Sequence, residues 1–137
     1  MSDLAKKIVD KMYQNDAFSK WLGIECIEVG AGKSTLQMTV RKEMLNGFDI
    51  AHGGITYSLA DSALAFASNG HGRKAVSIET SISHVESCKE GDILTAIAEE
   101  TFLDKIAVYN ITITNQDNKT VALFKGTVYR THENWEI

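Results

Sequence analysis

The stretch "NGFDIAHGGITYSLADSALAFA", residues 46 to 67, constrains the fold more than any other part of the chain. From about Gly53 to Asn69 nearly every position is apolar or small, which predicts a helix with no broad polar face. At about 100° per residue, Ile55, Leu59, Ser62, Ala63 and Phe66 share one face, and Tyr57, Asp61, Leu64 and Ala65 lie roughly opposite. Both faces call for cover, and Asn69-Gly70 supplies the stop.

The flanking segments say what can provide that cover. Asp3 to Asn15 places Leu4, Ile8 and Met12 at helical spacing among Lys6, Lys7, Asp10 and Lys11. "IECIEVGAGKSTLQMTV" reads as two strands joined at Gly30-Ala31-Gly32. After the long helix the period changes to two, in "AVSIETSISHV", "DILTAIAEETF", "AVYNITITNQ" and "TVALFKGTVYR". "EGD" at 90 to 92 and "NQDNKT" are turns. Helix, two strands, long helix, four strands is therefore the expected order. Strands joined by short turns run antiparallel. The compact arrangement is α+β, a curved antiparallel sheet wrapped around a long central helix. At 137 residues the chain makes one domain, 1–137.

Charge and cysteine usage narrow the function. A net charge of −4 with no basic stripe argues against nucleic acid as a partner. A local basic patch gripping a small phosphorylated ligand remains compatible. Cys26 and Cys88 lack metal or redox spacing and read as reduced thiols. "MSDLAKKIVDKMYQ" is no signal peptide, and no apolar run approaches the roughly 20 residues of a membrane span. A cytoplasmic protein with no membrane partner is expected.

Two tempting motifs fail. "GAGKST" lacks the P-loop glycine, because Ile27 holds its place, and "TLQMTV" continues as a strand rather than a helix. "NGHG" at 69 to 72 follows a helix, not the strand a dinucleotide fingerprint requires. His52, His71, His84 and His132 show no ligand spacing, so no metal site is expected.

Asp61 stands on a helix face that expects burial. An unpartnered carboxylate there costs a few kcal/mol even after relaxation. A neighbouring Ser58 or Ser62 hydroxyl, or water, would satisfy it structurally. A reacting group would use it as a base or nucleophile. Gly53-Gly54 opens the same helix. The glycines either permit a tight turn or bare the first amides, where the positive helix end can hold a carbonyl oxygen. Gly54 and Asp61 are separated by about 10 Å along one helix at about 1.5 Å per residue. A carbonyl must lie within about 3–3.5 Å of its attacker. If both serve one carbonyl, they come from different chains, packed through the small Ala60, Ala63, Ala65 and Ala67 as a homodimer with two shared sites.

"LNG", "HGG", "SLAD", "GDILTAIAEE" and "VALFKG" resemble the phenylacetate-degradation (PaaI-type) acyl-CoA thioesterases of the hotdog fold. The resemblance runs from "MYQNDAFSKWLGI" to "VYR". It implies an acyl-CoA thioesterase acting on phenylacetyl-like, hydroxyphenylacetyl-like or medium acyl groups, assembled as a dimer of dimers. Coenzyme A enters as part of the substrate, with no other cofactor. By position, the resemblance implies that Asp61 activates water or attacks the thioester directly. Gly53 and Gly54 supply the oxyanion-polarising backbone, with Gly54 preferred. Asn46 holds the carbonyl or the water. His52 either orients the asparagine loop or contacts the thioester, and Ser77 stands near the attacking water. Relatives carry a hydrophobic-basic-proline run where this chain has "SHVESCKEGD". Glu86 and Ser87 replace its basic residue and proline, which leaves Lys89, Arg73, Lys74 or Arg130 for the coenzyme A phosphates. A hydratase or dehydratase on enoyl thioesters, pairing His52 with Asp61, and a non-catalytic acyl-CoA-binding protein are the alternatives.

Overall fold

The computed structural model describes residues 3–137. Its elements are α1 (Asp3–Gln14), α2 (Ala17–Leu22), β1 (Glu25–Gly30), β2 (Lys33–Thr39), a 3-10 turn (Lys42–Met44), α3 (Gly53–Asn69), β3 (Arg73–His84), β4 (Ile93–Phe102), β5 (Ile106–Thr114) and β6 (Thr120–Asn134). The six strands form one antiparallel sheet in the order β1-β2-β4-β5-β6-β3. Although only residues 85–92 separate β3 from β4, the two are not neighbours. That segment carries the chain across the sheet, and β3 pairs with β6 instead.

The expected α+β wrap is present, and α3 touches all six strands. Leu36 and Met38 of β2, Leu94, Ala96 and Ala98 of β4, and Tyr109, Ile111 and Ile113 of β5 bury against it. At Gly126 of β6 the approach is so close that a Cβ would stand 2.5 Å from Leu64 Cδ2, so glycine is what lets α3 seat there. This helix inside a curved antiparallel sheet is the hotdog fold.

Three details depart from the expectation. The six-residue α2 is too short to show a period. Its ends are nonetheless encoded: Asp16 accepts the Ser19 N–H at 3.0 Å as N-cap, and Gly23 takes the left-handed conformation at φ 74. On α1 the buried face is Ala5, Ile8 and Val9, with Leu4 turned outward. Most importantly, α3 is not covered on every side. A stripe of Gly54, Tyr57, Ser58, Asp61, Ser62 and Ala65 stays exposed or half-exposed on the single chain. The bounding strand β3 is an outer edge of the sheet, with Val76 56% and Ile78 57% exposed. Among the described residues no helix is long and apolar enough to cross a membrane.

Candidate active site

The first turn of α3 is built by local hydrogen bonding. His52 is its N-cap, and the Gly54 N–H donates to His52 Nδ1 at 2.9 Å. Ile55 N–H donates to the His52 carbonyl at 2.9 Å. Thr56 Oγ1 donates to the Gly53 carbonyl at 3.1 Å, and Ser58 Oγ to the Gly54 carbonyl at 2.7 Å. These bonds leave the Gly53 N–H as the amide of this turn with no acceptor among the described residues. The Gly54 amide, the donor the resemblance prefers, is thus engaged by the His52 ring, and the Gly53 amide is not. With Nδ1 accepting, a neutral His52 carries its proton on Nε2.

Gly53 opens on a cavity of about 390 Å³, lined in part by Asn46, Thr56, His84, Glu86, Ser87 and Cys88. Asn46 holds its own loop: Oδ1 accepts the Phe48 N–H at 2.9 Å, and its N–H donates to the Ile50 carbonyl at 2.8 Å. That leaves the Asn46 Nδ2 donors uncommitted among the described residues. Ile50 lines the cavity, whereas Phe48 is 85% exposed on the single chain.

The far wall, residues 85–92, is fastened by Asp92, which is only 4% exposed. Its Oδ2 accepts the Lys89 N–H at 2.9 Å and its Oδ1 accepts from Gln116 Nε2 at 2.9 Å. The Ala51 N–H then donates to the Cys88 carbonyl at 2.7 Å, tying this wall to the asparagine loop. Burial pushes the Asp92 carboxyl up, but the Lys89 N–H, Gln116 and the Lys89 charge outweigh it, and its pKa lies below the ordinary value. Burial, with Asp92 and Glu86 behind it, raises the Cys88 thiol to about 11.

Asp61 stands elsewhere. It lines a second cleft of about 250 Å³ with Leu64, Ala65, Ser68, Ala75, Val76, Ser77 and Val128, none of which borders the first cavity. Two chain segments expected to cooperate, Asp61 and Ser77, are thus brought together, and both are kept apart from Asn46 and Gly53. Gly53 and Asp61 are eight positions apart, about 12 Å of helix axis at about 1.5 Å per residue. The second cleft is smaller than the about 300–1,000 Å³ of ordinary small-molecule sites.

The serines do not satisfy Asp61. Ser58 bonds the Gly54 carbonyl, and Ser62 Oγ pairs at 2.8 Å with Ser19 Oγ, which also donates to Asp16 Oδ2 at 2.6 Å. No hydrogen bond or ion pair to the Asp61 carboxylate exists among the described residues. Its apolar flank desolvates it, and the Asp16 carboxylate at the N-cap of α2 adds repulsion. Both raise its pKa above the ordinary value.

The four cations expected for phosphates divide clearly. Arg73 donates to the Thr131 and Arg130 carbonyls at 2.9 and 3.2 Å. Lys74 pairs with Glu133 at 3.6 Å and lies over Trp135. Arg130 Nη1 donates to the Asp104 carbonyl at 3.4 Å, and its buried Nε has no partner among the described residues. Lys89 alone of the four sits on the Glu86–Ser87 segment beside the Gly53 cavity.

Two cavity residues carry no signal in the resemblance, Thr56 and His84. His84 closes β3 and bonds Thr56 Oγ1 at 2.7 Å through Nε2. The end of a strand run meeting the start of a helix is a tertiary juxtaposition that no spacing rule reveals.

Residues 48–122, more than half of the chain, match the model of the thioesterase superfamily. The acyl-coenzyme A thioesterase PaaI of Escherichia coli strain K12 is 44% identical over 131 residues, covering 95% of this chain and 94% of that protein. The solved structure of the E. coli PaaI protein from the phenylacetic acid degradation operon superimposes with a TM-score of 0.95 over 97% of each chain. A hypothetical thioesterase of Streptococcus pneumoniae TIGR4, solved with coenzyme A, is 25% identical with a TM-score of 0.85, over 91% of this chain and 98% of that one.

Proposed function

The chain belongs to the thioesterase superfamily, and on that premise we propose that it hydrolyses acyl-CoA thioesters in a homodimer whose two active sites are each shared between protomers. The observation that carries this reading is the unpartnered Asp61 carboxylate on the uncovered stripe of α3, set apart from the unpartnered Gly53 amide. Packing two copies of that stripe against each other, with the β3 edges alongside, would bring Asp61 of one protomer toward Gly53 of the partner subunit.

The thioester carbonyl oxygen accepts the Gly53 N–H at the positive end of α3, where the developing oxyanion is stabilised. Asp61 takes a proton from water as the water attacks the carbonyl carbon. Alternatively its carboxylate attacks, forming an anhydride that water then cleaves. Either route yields the free acid and coenzyme A, and neither requires a metal or a redox cofactor. Ser77 lines the Asp61 cleft, and its hydroxyl would hold the water. Asn46 lines the Gly53 cavity and would offer its Nδ2 to the carbonyl or the water, and the His52 ring secures the Gly54 amide. Lys89 is the cation best placed for a coenzyme A phosphate. The acyl group is of the aryl-acetyl or medium type, by similarity to the E. coli relative and its phenylacetic acid operon. The free thiols Cys26 and Cys88 suit a reducing, cytoplasmic setting.

Hydration of an enoyl thioester would ask His52 for an acceptor nitrogen. Its Nδ1 is occupied by Gly54, which argues against that alternative. A panel of aryl-acetyl, short, medium and long acyl-CoA substrates, read by release of free thiol, tests the proposal. Release from aryl-acetyl or medium substrates supports it. Preference for palmitoyl-CoA would overturn the substrate class, and no release from any member would overturn the activity.

A further inference from the structure

The first turn of α3 is held from its carbonyl side by a group that the thioesterase reading leaves unused. Gly53 O can only accept, and Thr56 Oγ1 donates to it at 3.1 Å. The single Thr56 proton is thereby engaged, so His84 Nε2–H supplies the 2.7 Å bond between His84 and Thr56. The result is a relay from His84 through Thr56 to the Gly53 carbonyl, with Thr56 3% exposed. The peptide whose carbonyl is engaged in this way has the Gly54 N–H at its other end, and His52 holds that N–H at 2.9 Å. One peptide plane is clamped on both sides by histidines. The His84 ring also stands so near that a Cβ on Gly53 would lie 3.2 Å from its Cε1.

We propose that His84 is a positioning residue for the thioester site, fixing through Thr56 the peptide plane next to the free Gly53 amide. This rests on the thioesterase reading above. A donor aimed at a developing oxyanion works through preorganisation, since a fixed dipole needs no reorientation as charge appears. A loose first turn would let the Gly53 N–H swing away from the carbonyl oxygen. Chained hydrogen bonds also polarise one another, which stiffens the turn further. The loss should fall on kcat rather than KM, because the interaction strengthens in the transition state.

Three single variants and one double variant of the full chain test this. His84→Phe keeps a ring against Gly53 and removes the donor. Thr56→Val keeps the shape and removes the hydroxyl. His84→Gln keeps a donor at the reach of Nε2. The expected result is a kcat about five- to tenfold lower in His84→Phe and in Thr56→Val, with KM within about twofold, as for loss of one or two modest hydrogen bonds. The double variant should be no slower than either single one, because both break the same relay. His84→Gln should recover most of the rate. The Gly54 amide resonance in a 1H–15N spectrum should move in His84→Phe and Thr56→Val and return toward wild type in His84→Gln. If His84→Phe does not fold, Thr56→Val and His84→Gln carry the same comparison. Wild-type kcat in folded His84→Phe and Thr56→Val, an unmoved Gly54 resonance, or losses that multiply in the double variant would overturn the inference while leaving the thioesterase reading intact. A wild-type chain inactive on every acyl-CoA would overturn both.

Discussion

The two ends of the proposed chemistry differ in how their polar groups are satisfied. At the start of α3, His52, Thr56 and Ser58 engage the backbone of the first turn, with His84 behind Thr56, and the Gly53 N–H is left without an acceptor among the described residues. Two turns further on, Asp61 has no hydrogen-bond or ion-pair partner among the described residues, although serines flank it in sequence on either side. A rigid leftover donor and an unpaired acceptor complement each other, yet one helix cannot bring them together. The same contrast separates two acids. Asp92 is buried, fully bonded and held below its ordinary pKa, as a structural carboxylate is. Asp61 is bare and raised, as a carboxylate awaiting a reaction partner is.

The harshest way to break this comparison is Asp61→Asn. Loss of a positioned base or nucleophile should lower kcat by roughly 10²–10⁴-fold while fold and assembly persist. Steady-state rates beside size-exclusion profiles check both halves, and normal rates would remove Asp61 from the chemistry.

Complementation comes next. Asp61→Ala and Gly53→Leu should each be inactive alone. After subunit exchange, half the dimers are mixed and half the sites in those are intact, so about a quarter of wild-type activity should return. Mixed dimers without recovery would place each site within one chain.

A smaller effect is expected at the wall of the Gly53 cavity. Asp92→Ala strips partners from the Lys89 N–H and Gln116 and should lower unfolding free energy by about 1–3 kcal/mol in urea titration. An unchanged urea midpoint would show that the 85–92 segment is held by other means.

The subtlest test uses pH. A raised folded pKa means that Asp61 favours the folded state below its unfolded pKa, with that advantage lost as pH rises through the folded value. Asp61→Asn should therefore gain in Tm relative to wild type as pH rises through the carboxylate range. For Asp92 the folded pKa is lowered, so its stabilisation is present above the unfolded pKa and lost as pH falls through the folded one. Asp92→Asn should fall behind wild type most at neutral pH and draw level in acid. Parallel Tm curves for the two variants would erase the distinction between the acids.

Much of this was legible in the residues. Helical and strand periods place α3 at Gly53–Asn69 and every strand, since long, strongly patterned segments leave few alternatives. The lone Asp61 is visible as a charge in an apolar run. Its exposure on the single chain is not, because apolar residues such as Tyr57 and Ala65 look alike whether their cover comes from their own sheet or from another chain. His84 is hidden for a related reason: alternation sets its strand, but only the pairing of β3 with β6 carries that strand end to Thr56. The short α2 escapes periodicity and is readable only from its caps, Asp16 and Gly23.

The strand order also sets a timetable for folding. β3 has one neighbour in the sheet, β6, and their register joins Arg73 to Asn134 and His84 to Ala122. β4 and β5 must therefore be synthesised, and β6 after them, before β3 is paired. Such distant closure slows folding, while the absence of proline removes the slow isomerisation phase that often adds to it. Until β6 emerges from the ribosome, β3 is a lone strand bearing Val76 and Ile78, the segment of a half-made chain most open to mispairing with another copy or to capture by a chaperone.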